Sequence, residues 1–141
     1  MSLLSKFFRK SDPDSGSGGT AQAGWPWTLT VDGAPVGGFT WADVRRELGN
    51  LIPDQDSFLI LERKNPADQK QYWYIQSAIA TAGEHARAFV VGIGYSTPEG
   101  PALFERYEDT FQAVIPWFEA AWQERPLDLS QFEDHSAWLR R

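Results

Sequence analysis

The sequence predicts an α+β fold: an antiparallel meander of about five strands with helices packed on one face, in the order β-α-β-β-β-β-α-α. Three observations carry this. Gln71 to Tyr95 contains two extended runs, QYWYIQSAIA and ARAFVVGIGY, joined by TAGEH, which reads as a β-hairpin in the middle of a sheet. Phe58 to Arg63 (FLILER) and Ala102 to Tyr107 (ALFERY) supply strands on either side of it. Two further stretches, opening near Thr40 and Asp109, space their apolar residues as amphipathic helices do.

Along the chain, Met1 to Lys10 (MSLLSKFFRK) sets Leu3, Leu4, Phe7 and Phe8 among Lys6, Arg9 and Lys10. Such a segment suits a membrane surface or a partner, but ten residues are too few for a stable isolated helix. Ser11 to Gly24 is rich in Ser, Gly, Asp and Pro and reads as a linker. Residues 1–24 are therefore expected to be a flexible N-terminal segment, and residues 25–141 a single α+β domain. Trp25 to Val31 alternates as a first strand, placed near an edge because Pro26 cannot donate to a ladder, and Asp32-Gly33 starts a turn.

Thr40 with Asp43 reads as a capping box, followed by the stripe Trp41, Val44, Leu48 and Leu51, with Gly49-Asn50 closing the helix in the left-handed conformation. After ALFERY, Asp109 with Gln112 reads as the next cap. Phe111, Val114, Ile115, Phe118 and Trp122 form its core stripe, and Pro116 is expected to kink this helix or shift its start. Ser130 and Glu133 match a further capping box, for a last short helix carrying Phe132 and Leu139 inward. On the strand Phe89 to Tyr95, the large face (Phe89, Val91, Ile93, Tyr95) is the core face. Ala88, Val90, Gly92 and Gly94 make a small-residue face, over which a helix, an aromatic neighbour or a partner must lie.

The totals exclude several function classes. The 141 residues suffice for one core, and the chain contains no cysteine, so disulfides, thiolate nucleophiles and Cys-based metal sites are excluded. No apolar run approaches a membrane-spanning length, and no basic patch lies outside the first ten residues, so neither stable membrane insertion nor nucleic-acid binding is expected. The net charge of −6 is local: Glu99 to Asp134 holds nine acids against Arg106 and Arg125. That stretch is either a solvated helix face or a surface that steers a basic partner.

No catalytic or metal motif survives inspection, and no cofactor or metal is expected. Gly92-Ile93-Gly94 lacks the third glycine of a dinucleotide fingerprint, and Pro98 and Pro101 block the helix that should follow. Asp134-His135-Ser136 has the letters of a triad, but adjacent residues do not converge. His85 sits in the hairpin connection, and two histidines without ligand spacing do not make a metal site. For acid–base chemistry the best candidates are Glu62 and Glu105, whose plainer reading is outward strand positions paired with Arg63 or Arg106.

The aromatics say more. With seven Trp in the chain, one core does not easily hide them all, and exposed Trp and Tyr are typical of protein interfaces. Tyr72, Trp73, Tyr74, Glu105, Glu108, Asp109, Trp117 and Glu119 are the candidate partner-binding residues.

FLILER, QYWYIQSAI, ARAFVVGIGY and LFERYEDTFQAVIPWFEAAW, about residues 57 to 123, resemble in layout the small bacterial immunity proteins that neutralise polymorphic or contact-dependent toxins. The resemblance implies a non-enzymatic, cytoplasmic protein that binds one toxin and occludes its active or substrate site with acids or aromatics. It transfers no individual contact residue. The alternatives are a secretion chaperone or adaptor that binds an extended segment, and a small hydrolase-type enzyme using Glu62, Glu105 or His85.

Overall fold

The computed structural model describes residues 24–53 and 57–140. The amphipathic stretch 1–10 and nearly all of the linker lie outside the described residues. The fold is α+β, as the sequence predicts, but the antiparallel sheet has seven strands and not five. They are β1 (Trp27–Val31), β2 (Ala34–Val36), β3 (Phe58–Asn65), β4 (Asp68–Ile79), β5 (Phe89–Thr97), β6 (Gly100–Glu108) and β7 (Glu133–Asp134). The helices are α1 (Trp41–Gly49), α2 (Phe111–Trp122) and α3 (Ser136–Leu139). The strand order is β2-β1-β3-β4-β5-β6-β7, an open sheet that nearly repeats the order of the chain. Among the described residues, no helix is long and apolar enough to cross a membrane.

The two additional strands are short and stand at the two edges. β2 folds back on β1 because Asp32 and Gly33 both take positive φ, 52° and 84°, as a two-residue type I′ hairpin requires. The Asp32 carboxylate also accepts from the backbone N–H of Phe58 at 2.8 Å, pinning this turn to the start of β3. β7 lies against Phe104 and Glu105 of β6.

The register divides the side chains between two faces. One row runs Trp27–Arg63–Trp73–Tyr95–Ala102, and the parallel row two residues on runs Leu29–Leu61–Ile75–Ile93–Phe104. This face packs on α1 and α2: Leu29, Leu59, Leu61, Ile75, Val91 and Ile93 close against Val44, Leu48, Val114 and Phe118 in one core. The large face of β5 is the core face, as its alternation implies.

α1 keeps its capping box. Asp43 N–H donates to the Thr40 hydroxyl, and the Asp43 carboxylate accepts from Thr40 N–H at 2.8 Å. Its end differs from expectation, because Asn50 closes it at φ −98° and not in the left-handed region. A Cβ at Gly49 would meet the Phe111 ring at 3.4 Å, an ordinary packing contact.

α2 is capped by Thr110 and not Asp109, the Thr110 hydroxyl accepting from Ala113 N–H at 3.2 Å. It runs through Pro116 without a shifted start; the ring sits on the exposed side, away from Val114 and Phe118. The Ser130–Glu133 signal is not used. Leu129–Gln131 makes one 3-10 turn capped by Asp128, Glu133 joins β7, and the last helix begins at Ser136. The cause is Phe132, which is buried edge-on against Trp117 with ring centres 4.9 Å apart. A helix opening at Ser130 would carry it away from that position.

None of the seven tryptophans is fully exposed: Trp73 is buried and the other six are partly buried. Among the described residues the exposed large hydrophobics are Ile52 and Tyr107. Trp122 stacks on Trp27 at 6.1 Å and meets Phe39 and Trp41, while Trp73 meets Trp27 edge-on at 6.0 Å. Arg63, only 3% exposed, lies 4.4 Å from the Trp27 ring centre, donates to the Trp25 carbonyl and pairs with Glu124 at 2.8 Å. One cationic side chain thus ties the start of the domain to the end of α2.

Candidate functional site

The groups that combine charge, rings and exposure converge at the β6–β7 rim. Antiparallel pairing places Glu133 directly opposite Glu105. Two like charges face to face across a ladder repel, and here His135 separates them. Its Nδ1 lies 2.9 Å from Glu105 Oε1, and its Nε2 lies 2.9 Å from Glu133 Oε2. The ring is held flat against Trp138, centres 3.8 Å apart. Glu105 is buried, whereas the Glu133 side chain is 78% exposed.

The backbone fixes this geometry. His135 N–H donates to the Leu103 carbonyl and Leu103 N–H donates to the Ser136 hydroxyl, so the chain re-enters beside β6 at a set height. Asp134 accepts from the backbone N–H of Ser136 at 2.9 Å, and hydrogen bonds from Ser136, side chain first and backbone second, hold its carboxyl below the ordinary value.

Tyr107 stands next to this assembly. His85 stacks on it with ring centres 4.0 Å apart, and the preceding Glu84 lies 3.5 Å from the His85 Nε2. Its phenol titrates above the ordinary value of 10.0, first through partial burial and then through the charges of Glu105, Glu133 and Glu84. Tyr95 is raised as well, by burial and then by Asp134.

Both phenols hold their protons more tightly folded than unfolded. Their contribution is present below the unfolded tyrosine pKa of about 10 and is lost as pH rises past it. Denaturation midpoints are therefore expected to fall from about pH 10 upward. Tyr95→Phe and Tyr107→Phe together should flatten the fall, and an unchanged slope would refute the assignment.

The sequence-derived candidates divide between the two faces. Tyr72, Tyr74 and Glu105 share the face away from the main core. Their neighbour Trp73 points into that core, and all four are buried. Tyr72 and Tyr74 stack at 5.9 Å, and the Tyr74 ring lies over Gly94, its cross-strand partner. Of the three occupants considered for the small-residue face, an aromatic neighbour is what covers Gly94.

Glu108 accepts from the Trp117 indole N–H at 2.6 Å, and Arg106 Nε lies 3.1 Å from Glu108 as an ion pair without hydrogen-bond geometry. Asp109 is exposed just before α2, and Glu119 pairs with Arg125 at 3.7 Å. The ladder pairs imagined for Arg63 and Arg106 do not form as drawn: Arg63 reaches Glu124, Arg106 reaches Glu108, and Glu105 meets His135. Ser136 is buried with its hydroxyl used by Leu103, so Asp134-His135-Ser136 makes no nucleophilic relay.

Sequence reasoning weighed His135 only as a letter of a triad, and passed over Trp138 and Tyr107 as site residues. The Tyr107-to-His85 and Glu105-to-His135 encounters join residues 22 and 30 positions apart, and no local spacing announces them. Among the described residues, no group of three or more His, Asp or Glu is arranged to hold a metal ion. Comparison with protein-family models, curated proteins and solved structures finds no match.

Proposed function

We propose that this protein acts by binding another protein, as an immunity-type inhibitor that occludes the basic substrate site of a toxin, without catalysis of its own. The observation that supports this is the rim itself, where the exposed ring of Tyr107 is stacked on His85, with Glu84 the preceding residue, and the exposed Glu133 side chain is held by His135, which packs on Trp138. An aromatic anchor within a negative field is what a basic cleft recognises: the charges speed encounter and the ring holds the complex. The two outer strands have three and two residues, which leaves an extended segment little ladder to join. This favours the rim over the adaptor reading.

The test is affinity capture from the native host with the full chain, alongside a variant carrying Glu84→Lys, Tyr107→Ala and Glu133→Lys. A toxin retained by the parent, silenced by it and lost by the variant is the expected result. For that complex, Tyr107→Ala alone should weaken affinity by about 2 kcal/mol, and added salt should slow association. Equal capture by both proteins would remove the interface from this rim, and a captured partner without toxic activity would end the immunity reading.

A further inference from the structure

The core lies on one face of the sheet; the other face is built to receive something. Among the described residues α1 and α2 pack only on the first face, and α3 reaches only the β6 rim of the second. Yet the middle of the second face is closed to solvent. Gln76, Val90 and Ser96 are each 1% exposed, and Gly92 and Gly94 are buried. The row Ile60–Gln76–Gly92–Glu105 crosses it, with a glycine where a side chain would fill the trough. Gln76 has neither its amide N nor its amide O hydrogen-bonded within the described residues. A buried primary amide with both ends unmet is costly, and a backbone segment laid across it would supply a donor and an acceptor together. Rings flank the trough (Tyr72, Tyr74, Phe58), and carboxylates bound it at Glu62 and Glu105.

We propose that this face is the docking site for the chain's own first ten residues, MSLLSKFFRK. The chemistry is complementary on both counts: Leu3, Leu4, Phe7 and Phe8 suit the ringed, small-floored trough, and Lys6, Arg9 and Lys10 suit Glu62 and Glu105. The reach also matches. Ser11 to Gly24 is a linker of 14 residues, with a root-mean-square span of about 20 Å. Crossing from β1 to β6 takes four strand spacings, about 19 Å. A linker whose span equals the gap gives the tethered segment an effective concentration near the millimolar range, so even weak affinity suffices. The linker leaves from Trp25, which Arg63 holds at the end of the sheet where Tyr72 and Ser96 lie. This inference concerns the protein alone and does not depend on the toxin reading.

The absence of cysteine makes the test clean. Ser5→Cys in the full chain carries a single nitroxide spin label, and the readout is paramagnetic loss of backbone amide signals. The amides of Ala78, Gly92 and Gly94 are expected to lose most of their intensity, while Arg45, Gln112 and Glu119, on the far side of the helices, keep theirs. Adding Phe7→Ser and Phe8→Ser with Lys6→Glu, Arg9→Glu and Lys10→Glu should restore the lost signals, with unchanged amide positions for Val44, Leu48 and Phe118 as the check that the fold persists. Weak loss spread evenly over both sides, or loss centred elsewhere, would overturn the proposal. So would loss seen only between a spin-labelled chain and a separate isotope-enriched one, since the segment would then sit on a second copy.

Discussion

Replacing Phe118 by alanine is expected to lower the unfolding free energy by about 3–5 kcal/mol. Phe118 is the largest of the fully buried side chains, 0% exposed, and faces the sheet from the middle of α2. Its loss removes the transfer free energy of an aromatic ring and leaves a cavity between two layers, which backbone hydrogen bonding on both sides prevents from collapsing. The measurement is the denaturant midpoint at unchanged slope. Phe118→Leu, which keeps most of the volume, should cost under about 1.5 kcal/mol. A loss below about 1 kcal/mol for the alanine variant would mean that α2 does not close the core.

Gly94→Val should be nearly as damaging, for the opposite reason. The added Cβ would fall within the Tyr74 ring, which the Tyr72 stack holds flat over the glycine. Overpacking of this kind costs about 1–3 kcal/mol. The two residues are direct cross-strand partners, so the prediction extends to a double-mutant cycle. Gly94→Val combined with Tyr74→Ala should be less destabilising than the sum of the two alone, by about 0.5–3 kcal/mol. Strict additivity would show that the ring does not occupy that space.

What the sequence disclosed follows from the range of the interactions involved. The two faces of Phe89–Tyr95 are legible because strand alternation is a local rule, and the capping box at Thr40 and Asp43 because all its partners lie within four residues. β2 escaped because Pro35 and a length of three residues conceal a strand whose only announcement is Asp32-Gly33. β7 escaped because Glu133-Asp134 has no strand character of its own; the Leu103 carbonyl and the burial of Phe132 place it there. The tryptophans are less exposed than their number suggests because Trp27, Trp41, Trp73 and Trp122 come from four elements and shield one another, Trp73 fully and the others in part. The rim was visible only as an excess of acid between Glu99 and Asp134. Which acids meet a ring, and which meet Arg63, Arg106 or Arg125, is decided by convergence that no spacing encodes.

The near identity of strand order and chain order has a consequence for how the molecule is made. From β3 to β6 each strand joins the one just synthesised, through contacts of short sequence separation, so the sheet can grow in step with translation. Its apolar face, however, stays half-covered until α2 has emerged, because α1 supplies Val44 and Leu48, and Leu51 follows it, to a layer that also needs Val114 and Phe118. A nascent chain stopped after β6 therefore presents Ile75, Val91 and Ile93 to the cell. The stretch after β6, from α2 to Phe132, is what converts a sticky half-sandwich into a closed one.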